Sequence, residues 1–308
     1  MILPVPLHRT GLTAVASSGN ARLHARTIGP RTGHQAGERA LTPERQTTTV
    51  VQNPAGLHVV DHPAHAPDGK LPVVVLVHGS LDRGTSFARV VRRLPDLHVV
   101  TYDRRGYNRS RPAAAPARSL EDHIADLVTI VDGRPSVLVG HSYGGDVALG
   151  AAVALPGVVG AVGVYEPPLP WADWWPRRTG SDAPVEDPGA FAESFFRRVV
   201  NDDAWDRLPE GARAERRADG PALLTELFDI RRQESPIDFA RLTVPVVLGR
   251  GGRSIPHHRR AIDALVEILP TGEVVEFPDA THGAHLSHPD AFAAFVRRVV
   301  ELAKKEAL

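Results

Sequence analysis

The sequence predicts an α/β fold: a mostly parallel central sheet with helices on both faces, interrupted by one helical insertion. Three observations predict it. Short β-branched apolar runs recur along the chain and are continuous rather than alternating, as strands buried on both faces require. Helix-length segments separate these runs, and strand–helix alternation builds parallel sheets. One long stretch, from about Pro167 to Leu242, carries no strand signal and is rich in aromatic residues.

The elements follow in order. Thr47–Val51 and Leu57–Asp61 read as strands joined by Asn53-Pro54-Ala55-Gly56, which is turn chemistry, so the pair predicts a hairpin. Further strands are expected at Pro72–Val77, Leu97–Tyr102, Ser136–Val139, Val158–Tyr165, Val244–Leu248 and Glu273–Phe277. Helices are expected at Ser86–Arg93, Ser119–Val131, Gly145–Ala154, His257–Leu269 and Pro289–Lys305. The last carries Ala291, Phe292, Phe295, Val296, Val299 and Leu302 as a stripe at helical spacing. Residues 46–166 and 243–308 therefore form the expected core, and 167–242 the expected helical cap. Residues 1–45 lack hydrophobic periodicity, are Arg-rich and acid-poor, and are expected to be a disordered leader.

Composition narrows the function. Thirty-six basic residues balance thirty-six acidic ones, so no global basic field exists to hold nucleic acid or an anionic membrane. Cysteine is absent, which excludes disulfides, thiolate-bound zinc, iron–sulfur clusters and a Cys nucleophile, and is compatible with a cytoplasmic location. Val147–Tyr165 is uncharged and of spanning length, yet Pro156 and Gly150, Gly157, Gly160 and Gly163 break it into a buried helix, a turn and a buried strand.

The sharpest motif is Gly140-His141-Ser142-Tyr143-Gly144-Gly145. It follows the apolar strand Val137-Leu138-Val139 and precedes a small-residue helical run, the strand–turn–helix context of a G-x-S-x-G nucleophile turn. Such a turn lifts the Ser142 hydroxyl above the sheet and sets a helix N-terminus beneath it. The second motif, Val77-His78-Gly79-Ser80, ends an earlier strand. Acyl transfer needs two N–H donors for the oxyanion, and the amides of Tyr143 and Ser80 are the expected pair. His78 is expected to tie loops together. Asp103-Arg104-Arg105-Gly106 reads as a solvated, salt-bridged, loop-ordering motif rather than an anion site.

The order strand–HGS, strand–DRRG, strand–GHSYGG, aromatic segment, strand, strand–His resembles the α/β-hydrolase fold family over roughly residues 47–305. The resemblance implies a base in the loop after the last strand. His282, followed by Gly283 and later Pro289, matches best, with His285 as the fallback and Thr281 standing where the family usually has Gly. The triad acid departs from the pattern. The segment after the next-to-last strand, Gly249-Arg250-Gly251-Gly252-Arg253-Ser254, holds no carboxylate. Some members place the acid after the strand that follows the nucleophile helix, where this chain has Glu166. The expected triad is Ser142–His282–Glu166; the competing role for Glu166 is an ion pair with an arginine at the cap hinge.

The implied activity is that of a serine hydrolase cleaving an ester-type bond of a small, partly apolar substrate through an acyl-enzyme, without metal or organic cofactor. Trp171, Trp174 and Trp175 are spaced to share a helix face and are expected to line the substrate pocket or pack as cap core. Two other readings stay open: a ligand-binding protein of this fold with little turnover, and carbon–carbon bond hydrolysis by the same triad. A hydroxynitrile lyase is disfavoured because no lysine lies between Lys70 and Lys304. The small-molecule substrate is the expected partner, with neither nucleic acid nor membrane; oligomeric state is not encoded in any motif.

Overall fold

The computed structural model describes residues 48–51, 53, 55–65, 71–112, 116–176, 185–232, 234–269 and 272–306. The expected leader, residues 1–45, lies outside them. Among the described residues eight strands form one sheet in the order β1-β2-β4-β3-β5-β6-β7-β8. β1 (Thr49–Val51) and β2 (Val59–His62) are the expected hairpin, antiparallel to each other, and β2 is antiparallel to β4 (Val99–Tyr102). The remaining pairs are parallel: β3 (Val73–Val77) lies between β4 and β5 (Ser136–His141), followed by β6 (Val159–Tyr165), β7 (Val246–Gly251) and β8 (Gly272–Phe277).

Burial explains the apolar runs. All of β4 and β5 is buried, whereas β1 is exposed throughout and β8, at the other edge, is mostly exposed or half-buried. Alternate residues of each central strand feed two cores. Val75, Val77, Leu138, Val162, Val164 and Leu248 face one, under α2 (Leu120–Val131), α3 (Tyr143–Ala154) and α8 (Pro256–Ile268). Val74, Leu76, Val137, Val139, Ala161 and Val247 face the other, under α1 (Ala88–Val91) and α10 (Pro289–Glu306). Phe292, Phe295, Val296 and Val299 of the expected α10 stripe are buried there, while Ala291 is exposed and Ala293 takes its place.

Boundaries move where backbone bonding outruns side-chain pattern. β7 continues through Gly249-Arg250-Gly251 because those residues pair with β8. α3 starts at Tyr143, two residues earlier than the apolar run suggests. The expected Ser86–Arg93 helix is a 3-10 turn, Gly84–Phe87, running into the short α1.

Among the described residues between β6 and β7 lie the helices α4 (Pro188–Val199), α5 (Asp202–Asp206), α6 (Glu210–Ala218) and α7 (Gly220–Asp229). Trp205 is fully buried among them, against Phe196. The short α9 (Ala284–Ser287) precedes α10. No helix among the described residues is long and apolar enough to cross a membrane.

A buried ion pair fastens α7 to the strand loops. Arg104, after β4, has no exposed surface and donates to the Glu226 carboxylate of α7. Glu226 also meets His123 at 3.1 Å and accepts the Ser80 hydroxyl at 2.7 Å. The expectation of a solvated loop is thus corrected for Arg104, while Arg105 behaves as expected, forming a half-exposed pair with Asp126. Burial alone would raise the Glu226 pKa, but Arg104 and His123 outweigh it and hold it well below the usual carboxylate range. Removing one member of a buried pair leaves the other charge uncompensated. Glu226→Ala should therefore cost about 3–5 kcal/mol at pH 7 in urea unfolding. Arg118→Ala, which breaks an exposed pair with Asp122, should cost less than about 1 kcal/mol. Because the folded-state pKa of Glu226 is depressed, its stabilisation is full above the ordinary Glu value and is lost as the pH falls through the folded value. The difference between wild type and Glu226→Ala should accordingly shrink on acidification.

Candidate active site

β5 ends at His141, and the chain turns so sharply that Ser142 adopts φ 53°, ψ −132° before α3 begins at Tyr143. The turn closes only because two neighbours lack side chains. A Cβ on Gly140 would lie 2.2 Å from the Gly144 carbonyl oxygen, and one on Gly144 would lie 2.3 Å from that of Val77. The Ser142 side chain is half-buried and faces the loop after β3: a Cβ on Gly79 would come within 2.9 Å of Ser142 Cβ.

That loop is held from below. His78 is fully buried; its Nδ1 lies 2.8 Å from the Gly79 carbonyl and its Nε2 accepts the Arg104 amide at 2.8 Å, which assigns the ring proton to Nδ1. Burial, with Arg104 adding, pulls the His78 pKa down to about 4, so the ring is neutral. Arg104 donates to the carbonyls of His78, at 2.9 Å, and Gly79, at 3.0 Å. In a planar trans peptide the C=O and the following N–H point in opposite directions. Fixing the Gly79 carbonyl therefore aims the Ser80 amide away from Arg104. Among the described residues neither the Ser80 nor the Tyr143 amide is bonded to a backbone acceptor. The Tyr143 amide is at the first turn of α3, where no intrahelical acceptor exists. The Ser80 hydroxyl is already committed to Glu226, so only its backbone is free to serve.

His282 lies in the loop between β8 and α9. Tyr165 donates to the Thr281 carbonyl at 2.9 Å, and His141 Nε2 meets the His282 carbonyl at 2.8 Å, so two side chains clamp the loop on either side of the imidazole. His282 Nδ1 stands 2.8 Å from Glu166 Oε2. Glu166 is buried at the end of β6 with φ 49°; its other oxygen accepts the Gly251 amide at 2.8 Å, and its own amide donates to Gly249 at 3.1 Å. Burial would raise the Glu166 pKa, but the neighbouring His258 and His282 rings override it and keep the carboxylate ionised. Burial and the neighbouring His258 lower the His282 pKa to about 4, with Glu166 offsetting part of this. The resting pair is thus an ionised carboxylate and a neutral imidazole.

The structure brings Glu166 and His282 together and sets the Ser80 loop and Tyr143 around Ser142. Among the described residues no hydrogen bond joins the Ser142 hydroxyl to His282; the His141 ring, one residue before Ser142, lies 4.7 Å from the His282 ring. Bonds between nucleophile and base commonly tighten only with substrate. The fallback base His285 is elsewhere: buried against Asp82 at 3.1 Å, with its ring 4.2 Å from His141.

Gly252, in the turn after β7, has no room for a carboxylate. A Cβ there would lie 2.4 Å from the Pro278 carbonyl oxygen, so no side chain fits. The tryptophans correct another expectation. Residues 171–175 run through turns, not a helix; Pro176 disfavours helical torsions at Trp175. All three tryptophans are half-buried against the core: Arg260 lies over Trp174 at 4.6 Å, Trp175 stacks on His258 at 6.0 Å, and the Trp174 and Trp175 rings meet at 5.9 Å.

His258 went unnoticed in the sequence. In the first turn of α8, its Nδ1 lies 3.2 Å from Glu166 Oε2 and 2.7 Å from His282 Nδ1. Its only signal was a His-His pair directly after Pro256, where a helix starts.

Comparison with known proteins agrees with this architecture. The chain is 28% identical over 240 residues to the pimeloyl-[acyl-carrier protein] methyl ester esterase of Chromobacterium violaceum, covering 73% of this chain and 92% of that protein. It is 33% identical over 106 residues to the lipase LipV of Mycobacterium tuberculosis, a match spanning 33% of this chain and only 40% of the lipase. A thermophilic esterase from Thermogutta terrifontis shares the fold, with a TM-score of 0.61 at 19% identity, covering 84% of this chain and 99% of that one. The model of the alpha/beta hydrolase family matches residues 74–295. That span runs from the second residue of β3 into α10 and takes in the Ser142 turn, Glu166, the inserted helices and the His282 loop, so the chain belongs to the alpha/beta hydrolase family.

Proposed function

We propose that the protein is a serine hydrolase of small, partly apolar carboxylic esters, with Ser142 as nucleophile, His282 as base and Glu166 as the acid that orients it. The observation that carries this reading is the 2.8 Å contact between Glu166 Oε2 and His282 Nδ1, with Glu166 Oε1 pinned by the Gly251 amide. It supplies the acid that the β7 turn lacks, beside a strained serine turn. The ester-hydrolysing relatives support the substrate class.

The mechanism follows from these groups. Glu166 holds the His282 ring proton on Nδ1, leaving the Nε2 lone pair to accept the Ser142 proton as Ser142 attacks the acyl carbon. The amides of Ser80 and Tyr143 receive the developing oxyanion. His282 then protonates the leaving alcohol, and water repeats the sequence to free the acid and restore Ser142. Trp175 sets an apolar wall beside the acid–base pair through its stacking on His258.

Two experiments test the assignment. Intact-mass analysis after fluorophosphonate treatment should show a single adduct on wild type and none on folded Ser142→Ala; labelling of both would remove Ser142 as nucleophile. Glu166→Gln should lower kcat by about 10³–10⁴-fold on an activated ester. Adding Gly252→Asp to that variant should restore nothing and should destabilise the fold by about 1–3 kcal/mol, because the new Cβ meets the Pro278 carbonyl. Near-full activity of Glu166→Gln would overturn the role given to Glu166.

A further inference from the structure

Three ligand-type atoms converge on one point beside the base. His258 Nδ1, His282 Nδ1 and Glu166 Oε2 are separated by 2.7, 2.8 and 3.2 Å. Protons alone serve this triangle poorly. A neutral imidazole has one ring proton. If both rings carry it on Nδ1, two N–H groups face each other at 2.7 Å. If only one does, the carboxylate and the other imidazole compete for it. A cation at the centre satisfies all three lone pairs at once. Ligands about 2.1 Å from a divalent ion stand about 3 Å apart at right angles and about 3.4 Å apart at the tetrahedral angle, so the triangle has the size of one face of an octahedral shell and spreads by a few tenths of an ångström to take a tetrahedral ion.

We propose that Glu166, His258 and His282 form a binding site for a first-row divalent transition ion of the Zn²⁺ type, and that the ion arrests hydrolysis. Two imidazoles and one carboxylate suit such an ion better than Mg²⁺ or Ca²⁺, which prefer all-oxygen shells. The ligands are supported from behind. The Gly251 amide holds the second Glu166 oxygen, and Trp175 and His257 pack on the His258 ring, with centroids at 6.0 and 4.6 Å. The His258 and His282 side chains keep 13% and 17% exposure, so an ion has a route in. Three ligands on one side leave positions open for water.

The arrest follows from the tautomer. An ion on His282 Nδ1 displaces the proton from that nitrogen, and the neutral ring then carries its proton on Nε2. That is the atom required to accept the Ser142 proton, so the base is lost while the ion is bound. This second half rests on the hydrolase mechanism above; the binding site itself does not.

The test uses the tag-free full chain, stripped with EDTA and titrated with ZnCl₂ by calorimetry. Wild type should bind one equivalent at micromolar or tighter affinity, and ester hydrolysis should fall with the same midpoint and return with EDTA. Ser142→Ala should bind zinc equally well, so a wrong nucleophile assignment would not hide the site. His258→Ala and His282→Ala should each weaken binding by at least about 100-fold, exceeding the loss from a supporting residue. Anomalous scattering at the zinc edge from wild-type crystals should place the ion between the three named atoms. Absence of binding below millimolar zinc, unchanged affinity in His258→Ala, or an ion seated instead at Asp82, His141 and His285 would each overturn the site. Binding there without loss of hydrolysis would overturn the arrest.

Discussion

The buried Arg104 guanidinium is the constraint on which the site depends. A cation without solvent must find a partner for every donor or destabilise the fold. Arg104 meets that demand with the carbonyls of His78 and Gly79, the Glu226 carboxylate and the faces of Tyr107 and Tyr143 at 4.9 and 4.8 Å. Each contact has a consequence at the surface. The carbonyl bonds orient the Ser80 amide. The ring contact packs Tyr143, whose amide begins α3. The ion pair brings α7 down onto the strand loops. One charge thus links the Ser80 loop, the Ser142 turn and the inserted segment, so a change at Glu226 is felt beyond its own helix.

The acid obeys a second, steric constraint. The turn after β7 packs so closely on Pro278 that position 252 has no room for a side chain. The carboxylate comes instead from β6, the neighbouring strand, and reaches the same imidazole from one strand inward. Its backbone sits at φ 49°, in the left-handed region costly for a residue with a Cβ. Ser142 shares that trait at φ 53°. Strain of order 1–3 kcal/mol persists only where the surroundings over-determine it. At Glu166 three backbone contacts do so: its amide on Gly249, its Oε1 on the Gly251 amide, and Tyr165, the residue before it, accepting from the Ser142 amide.

The sheet was legible because its strands are buried on both faces, so composition alone separates them from everything else. The motifs at Ser142 and His78 were legible because close backbone approach demands glycine at fixed offsets. Glu166 was legible only through the family resemblance, which offers a second place for an acid when the β7 turn holds no carboxylate. What stayed hidden depends on pairs far apart in the chain. Arg104 and Glu226 are 122 residues apart, and nothing local marks either as buried. His258 meets Glu166 across 92 residues, through a helix start that looks ordinary. The tryptophans show the limit of spacing as a signal: positions i, i+3 and i+4 suit a helix face, yet residues 171–175 are too few between Pro170 and Pro176 to propagate one, and they form turns.

Two carboxylate–imidazole pairs flank the His141 ring, and they differ in exposure. Asp82 and His285 are as close a match in chemistry as Glu166 and His282, at 3.1 and 2.8 Å. His285, however, is sealed, its side chain 2% exposed and packed on Phe87, Phe292 and the His141 ring. Its ring braces His141, and His141 in turn fastens the His282 carbonyl. The sealed pair is scaffolding for the open one. His282 is both held and reachable because the contacts that hold it fall on the Thr281 and His282 carbonyls and on its Nδ1, which leaves Nε2 without a bonding partner among the described residues.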